Sequence, residues 1–377
     1  MSNIAILGAM WGDEGKGHIT HHLSKNYDWV IRFNGGANAG HTIYRDGKKF
    51  VHNLLPSVDF RHKGVKAYLG AGMVIDLEKL RDEVNTLEEA YPGAAKNIYV
   101  DREAFIVEPK HKEEDKARNG HIGSTNRGIG PAYRDKIGRI GHRIDYFFTE
   151  DKVDLISGYS DVIGDLMAKG VNFTHALAMQ DALHGNLLFE GAQGVLLDIN
   201  HGMYPYVSCS DATVGGIAAS GFGFVKLDKV YGVAKCYTTK VGEGPFPSEL
   251  HGKAADDLRE MGNEFGATTG RPRRVGWLDL PALRYACDKG GITNLILTKF
   301  DILSGMPTVP VVMAYKKKPV CPSDFFKPVT MTTEVGGWTD PKVPGQLDKF
   351  IGLVELMTKR HVDYISCGTG DNDIFAW

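Results

Sequence analysis

The sequence predicts an α/β fold with a large, mostly parallel central sheet and helices on both faces, and three observations carry that expectation. Asn3-Ile4-Ala5-Ile6-Leu7-Gly8 is short and almost continuously apolar, as a strand buried on both faces must be. It runs into Trp11-Gly12-Asp13-Glu14-Gly15-Lys16-Gly17 and then a helix start from Ile19 to Lys25. Strand, glycine-rich turn and helix together aim backbone N–H groups and a positive helix end at a phosphate. Further apolar runs at 28–33, 187–189 and 294–297 each end in a polar or glycine-rich loop, as parallel strands do at a ligand-binding sheet edge. No repeat, low-complexity tract or linker interrupts residues 1–377, which read as a single domain.

The first loop is P-loop-like without being a Walker A. That motif requires Gly, four residues, then Gly-Lys-Ser/Thr. Here Met10 stands at the first glycine position and Gly17 follows Lys16. Asp13 and Glu14 also put two carboxylates where a plain phosphate cradle carries none. A carboxylate beside bound phosphates either holds Mg²⁺ or acts as a base on a second substrate.

Asp28 to Phe33 is a second buried strand, delivering the glycine-rich loop Asn34-Gly35-Gly36-Ala37-Asn38-Ala39-Gly40-His41-Thr42. His41 sits among small residues that let a ligand approach, so a catalytic role stands beside that of an ordinary core or surface histidine. Residues 42–54 alternate apolar and polar around Asp46-Gly47, a hairpin signal. Val65 to Leu69 is a strand, and Gly70-Ala71-Gly72 after it lacks the rest of a dinucleotide fingerprint, which argues against NAD. Asp76 caps a helical repeat that reaches Tyr91. Lys110 to Arg118 reads as a charged, solvated helix face, and residues 151–184 as a helical stretch.

Between them, His121 to Tyr133 combines hydroxyls, glycines and Arg127 in a way that suits a phosphate monoester, and Arg134, Lys136, Arg139 and Arg143 follow. Leu187 to Gly194 is a strand and turn that leaves Gln193 exposed, where its amide can donate to and accept from a base edge. Asp198 to Gly216 is rich in turn formers and holds Ser208, Ser210 and Thr213; Tyr237 to Pro247 reads as a loop leaving a strand. Gly262 to Arg274 packs threonines, arginines and glycines into a loop suited to a dicarboxylate or phosphate, against the plainer alternative of a solvated basic loop.

Asn294 to Thr298 is a buried strand ending in Thr298-Lys299-Phe300-Asp301. A carboxylate there can accept both N1–H and the 2-amino group of guanine, a pattern adenine lacks. Residues 306–345 are strands and irregular connections without nameable chemistry. Leu347 to Arg360 is amphipathic, and Val362 to Cys367 is a last strand running into Gly368-Thr369-Gly370-Asp371.

Composition narrows the class. A net charge of −2 supplies no basic face for nucleic acid. Five widely spaced cysteines without a Cys-x-x-Cys fit a reducing compartment and indicate neither zinc nor a disulfide scaffold. The N-terminus enters a strand at once, so no signal peptide is expected, and no apolar run approaches membrane-spanning length. A cytoplasmic enzyme is the expectation.

With these residues in hand, the chain resembles the adenylosuccinate synthetases. The matching stretches are WGDEGKG (11–17), NAGHT (38–42), RGIGPAY (127–133), FEGAQG (189–194), GPFP (244–247), GNEFGATTGR (262–271), GWLD (276–279) and TKFD (298–301), in the family's order. The resemblance implies a carbon–nitrogen ligase that joins L-aspartate to the 6-position of inosine monophosphate (IMP), using GTP and Mg²⁺ through a 6-phosphoryl intermediate. Carried over, Asp13 resembles the base that removes the purine N1 proton. Lys16 neutralises phosphate charge, and His41 supplies a proton or hydrogen bond to the transferring group. Asp13 and the Gly40 carbonyl resemble the metal ligands.

Asn38, Thr125, Arg139, Gln193 and Thr213 match purine nucleotide-binding positions, with Arg139 reaching the neighbouring subunit's site in a homodimer. Thr268, Thr269 and Arg271 match the aspartate loop. Gly12, Gly15, Lys16, Gly17, Thr42, Arg273, Lys299, Asp301, Ser366 and Gly368 match nucleoside triphosphate-binding positions. The chain departs from the family pattern where Ser366-Cys367-Gly368-Thr369 replaces Ser-Thr-Gly-Pro, Pro272 replaces arginine and Ala37 replaces a frequent histidine. It also looks shorter than bacterial members around 151–184 and after residue 301.

A viral branch of the family instead condenses aspartate with dGMP, with ATP or GTP, on the way to 2-aminoadenine DNA. Many of its members replace the residue equivalent to Asp13 by a smaller one, so keeping Asp13 favours IMP. A regulatory GTPase would have a proper Walker A and no second substrate site. A non-catalytic descendant would have lost Asp13, Lys16 or His41. Neither description suits this chain.

Overall fold

The computed structural model describes residues 2–45, 48–62, 64–118, 123–149, 158–176, 185–266, 270, 272–317, 319, 321–326 and 330–377. Ten strands form one sheet, in the order Ile374–Ala376, His361–Ser366, Asn294–Thr298, Lys229–Lys235, Asn3–Gly8, Leu187–Gly194, Trp29–Arg32, Lys66–Leu69, Ile98–Asp101, Asn172–Thr174. The ladders among strands 187–190, 29–32, 66–69, 98–101 and 172–174 are parallel, as are those among 231–235, 294–298 and 361–365. The closing strand, Ile374–Ala376, pairs antiparallel with its neighbour. All eight residues of Leu187–Gly194 are buried, as the apolar pattern requires of a central parallel strand. The expected α/β class and large, mostly parallel sheet are present.

Packing divides the chain into two compact units. The first holds Met1–Ala5, Gly17–Ala192 and Ser208–Asp228. Its core includes Trp29, Tyr68, Phe222 and Phe189, which meet edge to face at centroid distances of 5.2–6.3 Å. Helix Leu77–Ala90 buries Leu77, Leu80, Val84 and Leu87, one stripe of a 3.6-residue repeat, and the Asp76 side chain accepts from the Lys79 N–H at its start.

The second unit holds Ile6–Lys16, Gln193–Val207 and Lys229–Trp377. It contains a further four-stranded sheet in the order Tyr237–Lys240, Arg274–Asp279, Thr308–Tyr315, Thr330–Gly336. Phe300, Trp338 and Phe350 pack mutually, and the Trp338 indole donates to the Phe300 carbonyl at 2.8 Å.

Several elements differ from the sequence reading. The first helix spans Lys16–Ser24 and starts before Ile19, because its first turn is polar and gave no apolar signal. Tyr237–Lys240 is a strand, not loop, held antiparallel to Arg274–Asp279. The supposed helical stretch contains helix Tyr159–Ala168 and then the edge strand Asn172–Thr174, too short to display alternation. Helix Pro109–Arg118 is not merely solvated, since His111 and Asp115 are buried. The Asp46-Gly47 turn lies outside the described residues. Among the described residues, no helix is long and apolar enough to cross a membrane.

Candidate active site

In the second unit, the loop after the first strand is built around its own carboxylate. Gly12 and Gly15 have φ of 89° and 92°, and Asp13 shares the left-handed region at 60°. This path turns the Glu14 side chain inward, where it is buried. Its carboxylate accepts from the Met10 and Gly12 N–H groups at 3.1 and 2.8 Å and from Lys16 Nζ at 2.7 Å. Burial opposes ionisation of Glu14, but Lys16 and the N–H groups of Glu14 itself and Gly12 hold its pKa below the ordinary value. The inward carboxylate thus organises the N–H groups and the lysine of a phosphate loop. Gly194 closes the wall, since a Cβ there would lie 2.2 Å from the Met10 carbonyl oxygen. The Thr298 hydroxyl donates to the Glu14 carbonyl at 2.8 Å, tying the loop to the Thr-Lys-x-Asp strand.

Asp13 points outward, with its side chain 34% exposed, and pairs with Arg273 Nε at 2.9 Å. Arg273 is anchored in turn by Glu264 at 2.7 Å. Glu264 is buried and also accepts from Lys235 Nζ at 2.7 Å and the Tyr237 hydroxyl at 2.5 Å. Burial alone would raise the Glu264 pKa; Lys235 and Arg273 pull it down to about 2. Arg273, matched by resemblance to the triphosphate region, therefore reaches Asp13 itself.

Lys299 takes a left-handed φ of 69°, and the Phe300 N–H donates to the Ser366 carbonyl at 3.2 Å. Strands Asn294–Thr298 and His361–Ser366 are parallel neighbours, so Lys299, Asp301, Ser366 and Gly368 come together at their ends. Gln193, expected to be exposed, is buried at 7% exposure. The strand Leu187–Gly194 runs through residue 194, so position 193 is still inside the sheet and not in a turn.

In the first unit, His41 opens strand His41–Arg45 and is buried. Its Nδ1 lies 2.5 Å from Glu190 Oε1. The other Glu190 oxygen accepts the Ser57 N–H at 2.8 Å, and the Ser57 hydroxyl donates to Oε1 at 2.7 Å. Burial would disfavour the Glu190 anion, but His41, Arg32 and Ser57 hold its pKa at about 2. An ionised Glu190 makes Nδ1 of His41 a proton donor and fixes the ring plane. Gly17 packs on this histidine, with its Cβ position 2.6 Å from the His41 Cβ. Thr42 follows in the strand, half-buried, and Gly40 before it is exposed.

Asn34 crosslinks the same unit. Its amide donates to the Asp211 carbonyl at 2.8 Å, and its oxygen accepts the Ala192 N–H at 3.0 Å. The Thr213 hydroxyl donates to Asp211 Oδ1 at 2.6 Å, and Asn38 accepts the Gly36 N–H at 3.2 Å. Thr125 is exposed, and Arg139 caps helix Ile129–Gly138 in a left-handed conformation, also exposed. Thr268, Thr269 and Arg271 lie outside the described residues.

Sequence reasoning passed over Glu190, Ser57, Glu264 and Lys235 as site residues. Glu190 and Lys235 had one usable signal, a charge embedded in an apolar strand, which demands a buried partner. Ser57 and Glu264 had none.

A family model described as adenylosuccinate synthetase matches residues 5–156 and 149–375. The chain is 44% identical to the adenylosuccinate synthetase of Petrotoga mobilis, with 98% of this chain and 96% of that protein covered. The fully ligated adenylosuccinate synthetase from Plasmodium falciparum matches with a TM-score of 0.86 at 33% identity, covering 99% of each chain. Succinoaminodeoxyadenylate synthetase of cyanophage S-2L, solved with dGMP and with dATP as an energy donor, matches with a TM-score of 0.70 at 21% identity, covering 100% of this chain and 95% of that one. That last likeness concerns the fold alone. Likeness along essentially its whole length makes the chain a member of the adenylosuccinate synthetase family.

Proposed function

We propose that this chain condenses L-aspartate with the 6-oxo position of IMP, driven by GTP, through a 6-phosphoryl intermediate. The observation that carries the reading is that a phosphate loop presents a partly exposed carboxylate, Asp13, oriented by Arg273. A plain nucleotide hydrolase has no use for it. Asp13 accepts the N1 proton of the purine, and the 6-oxygen attacks the γ-phosphorus as its bond to the β-phosphate oxygen breaks. Lys16 balances charge on the phosphates. His41, held by Glu190, donates toward the transferring group. The aspartate amine then adds at C6 and phosphate leaves.

Mg²⁺ suits this arrangement. It demands oxygen donors and keeps waters and substrate phosphates in its shell, so it needs few protein ligands. The described residues hold no group of three or more His, Cys, Asp or Glu that could form a dedicated metal cage. Asp13 and the Gly40 carbonyl would hold it, and Gly40 is exposed with open space where a Cβ would project. When bound, the ion neutralises charge developing on the phosphates.

We assign Asn38, Thr125, Gln193 and Thr213 to the purine nucleotide and Thr268, Thr269 and Arg271 to aspartate. Gly12, Gly15, Gly17, Thr42, Arg273, Lys299, Asp301, Ser366 and Gly368 serve the triphosphate. Arg139 serves a neighbouring copy in a cytoplasmic homodimer. Support for that copy comes from Ile137 and Ile140, which flank Arg139 at 77% and 66% exposure. The test is a substrate panel with aspartate and Mg²⁺, offering IMP, GMP or dGMP against GTP or ATP. Adenylosuccinate from IMP and GTP supports the assignment. Product from dGMP alone would move the chain to the 2-aminoadenine branch, and no product from any pair would refute ligase function.

A further inference from the structure

Arg32 ends strand Trp29–Arg32 and is wholly buried, yet Nε and both Nη atoms have no hydrogen-bond partner among the described residues. A buried charge without hydrogen bonds is costly, so its retention in a packed core calls for a physical reason. Arg32 pairs in parallel register with Glu190 on the adjacent strand, which sets their side chains side by side on one face of the sheet. The charged and titratable groups facing the guanidinium are Glu190, Glu83 from helix Leu77–Ala90, and the Tyr133 hydroxyl from helix Ile129–Gly138.

Both carboxylates face donors. Glu83 accepts the N–H groups of Asn53, Leu54 and Leu55 at 3.0–3.1 Å, and Glu190 collects the Ser57 N–H, the Ser57 hydroxyl and His41 Nδ1. Between them they pin the segment after the hairpin and the His41 ring. Burial pushes the Glu83 pKa up against its three N–H donors, whereas Glu190 is held as an anion. A buried anion is costly unless a cation lies nearby. Arg32 is that cation. With no hydrogen bond of its own, it acts through its field.

We propose that Arg32 is a positioning residue for the ligase reaction: its charge keeps Glu190 an anion, and Glu190 in turn holds the His41 ring for the transferring phosphoryl group. The inference rests on the proposed function only for what His41 does. The Arg32–Glu190–His41 coupling is a property of the free protein. Arg32 is too deeply buried to touch a substrate, so its loss should act on turnover and not on binding.

The test compares the full-length wild type with Arg32→Met, Arg32→Gln, Arg32→Lys and the control Glu190→Gln. The first readout is proton NMR of protein carrying ¹⁵N-histidine. The short Nδ1–H···Glu190 contact should give a far-downfield proton resonance in the wild type. It should vanish or move upfield in Glu190→Gln and in both neutral Arg32 variants, and persist in Arg32→Lys. The second readout is steady-state kinetics, where kcat should fall on the order of 10²-fold in the neutral variants, the size of effect expected from a displaced catalytic group. KM values should stay within about threefold, and lysine should restore most of the rate.

An unchanged resonance and rate in a folded Arg32→Met would overturn the proposal. So would collapse of both neutral variants, which would make Arg32 a cation needed merely for folding. If the wild type shows no ligase activity but the resonance responds as described, the reaction assignment fails and the coupling stands.

Discussion

Replacing Glu264 by glutamine should cost the phosphate-loop unit several kcal/mol of stability near neutral pH, and the cost should disappear in acid. Glu264 bridges Lys235 and Arg273, and the three side chains are exposed by 1%, 4% and 18% respectively. The Tyr237 hydroxyl is a third donor. Its pKa falls from an ordinary 4.5 to about 2 against the opposing effect of burial. Two units and somewhat more correspond to ~3 kcal/mol of stability at neutral pH.

Removing one partner of a buried ion pair costs roughly 3–5 kcal/mol, and the two figures agree. Because the folded-state pKa is the lower one, the contribution is complete above the unfolded value and lost as pH falls toward 2. Urea unfolding of wild type and Glu264→Gln should therefore differ by about 3–5 kcal/mol near pH 7 and progressively less below about pH 4. Turnover should also fall, since Arg273 loses the anchor that aims it at Asp13. A difference under ~1 kcal/mol, the range of an exposed pair, or one that acid leaves unchanged, would refute the reasoning.

Other changes probe neighbouring parts. Asp13→Ala should abolish ligation while sparing purine nucleotide binding, measured by product formation and calorimetry; near wild-type turnover would remove Asp13 as the base. Gly194→Ala should disrupt the phosphate loop, because the added methyl meets the Met10 carbonyl oxygen, Glu14 and the Gly12 N–H within 2.2–2.7 Å. Overpacking of this kind costs about 1–3 kcal/mol, and triphosphate affinity should fall with it; a variant that binds normally would contradict the tight wall.

Asp279 caps helix Leu280–Gly290 and accepts the Tyr315 hydroxyl, and burial pushes its pKa up to about 6. A raised carboxyl pKa means that the folded state holds the proton more tightly, so this residue's contribution to stability declines as pH rises from about 4 to 6. Asp279→Asn should match the wild type near pH 4 and exceed it by up to ~3 kcal/mol above pH 7, read from urea midpoints; parallel pH profiles would exclude the effect.

Much of the sheet was legible because buried parallel strands leave continuous apolar runs, as at 3–8, 28–33 and 294–298. The helix from 77 to 90 was legible through its cap and its stripe. The phosphate loop announced itself through glycines needed at positive φ. What stayed hidden is long-range. Arg273 was matched to the triphosphate by resemblance alone, and only folding brings it 2.9 Å from Asp13. Lys235 and Glu264 lie twenty-nine residues apart and pair inside the unit, which no local pattern records. Gln193 was misread as exposed because Gly191 and Gly194 resemble a turn, although the strand continues through them. Tyr237–Lys240 looked like loop because its partner strand lies far along the chain at 274–279.

The central claim is that the purine 6-oxygen becomes a phosphate ester before aspartate displaces it. The most direct measurement supplies IMP labelled with ¹⁸O at the 6-position, together with aspartate, GTP and Mg²⁺, and follows the label by mass spectrometry. The account predicts one ¹⁸O in each inorganic phosphate released and none in the ligated nucleotide. Unlabelled phosphate accompanied by ¹⁸O in water would contradict it, showing that the oxygen leaves without ever binding phosphorus.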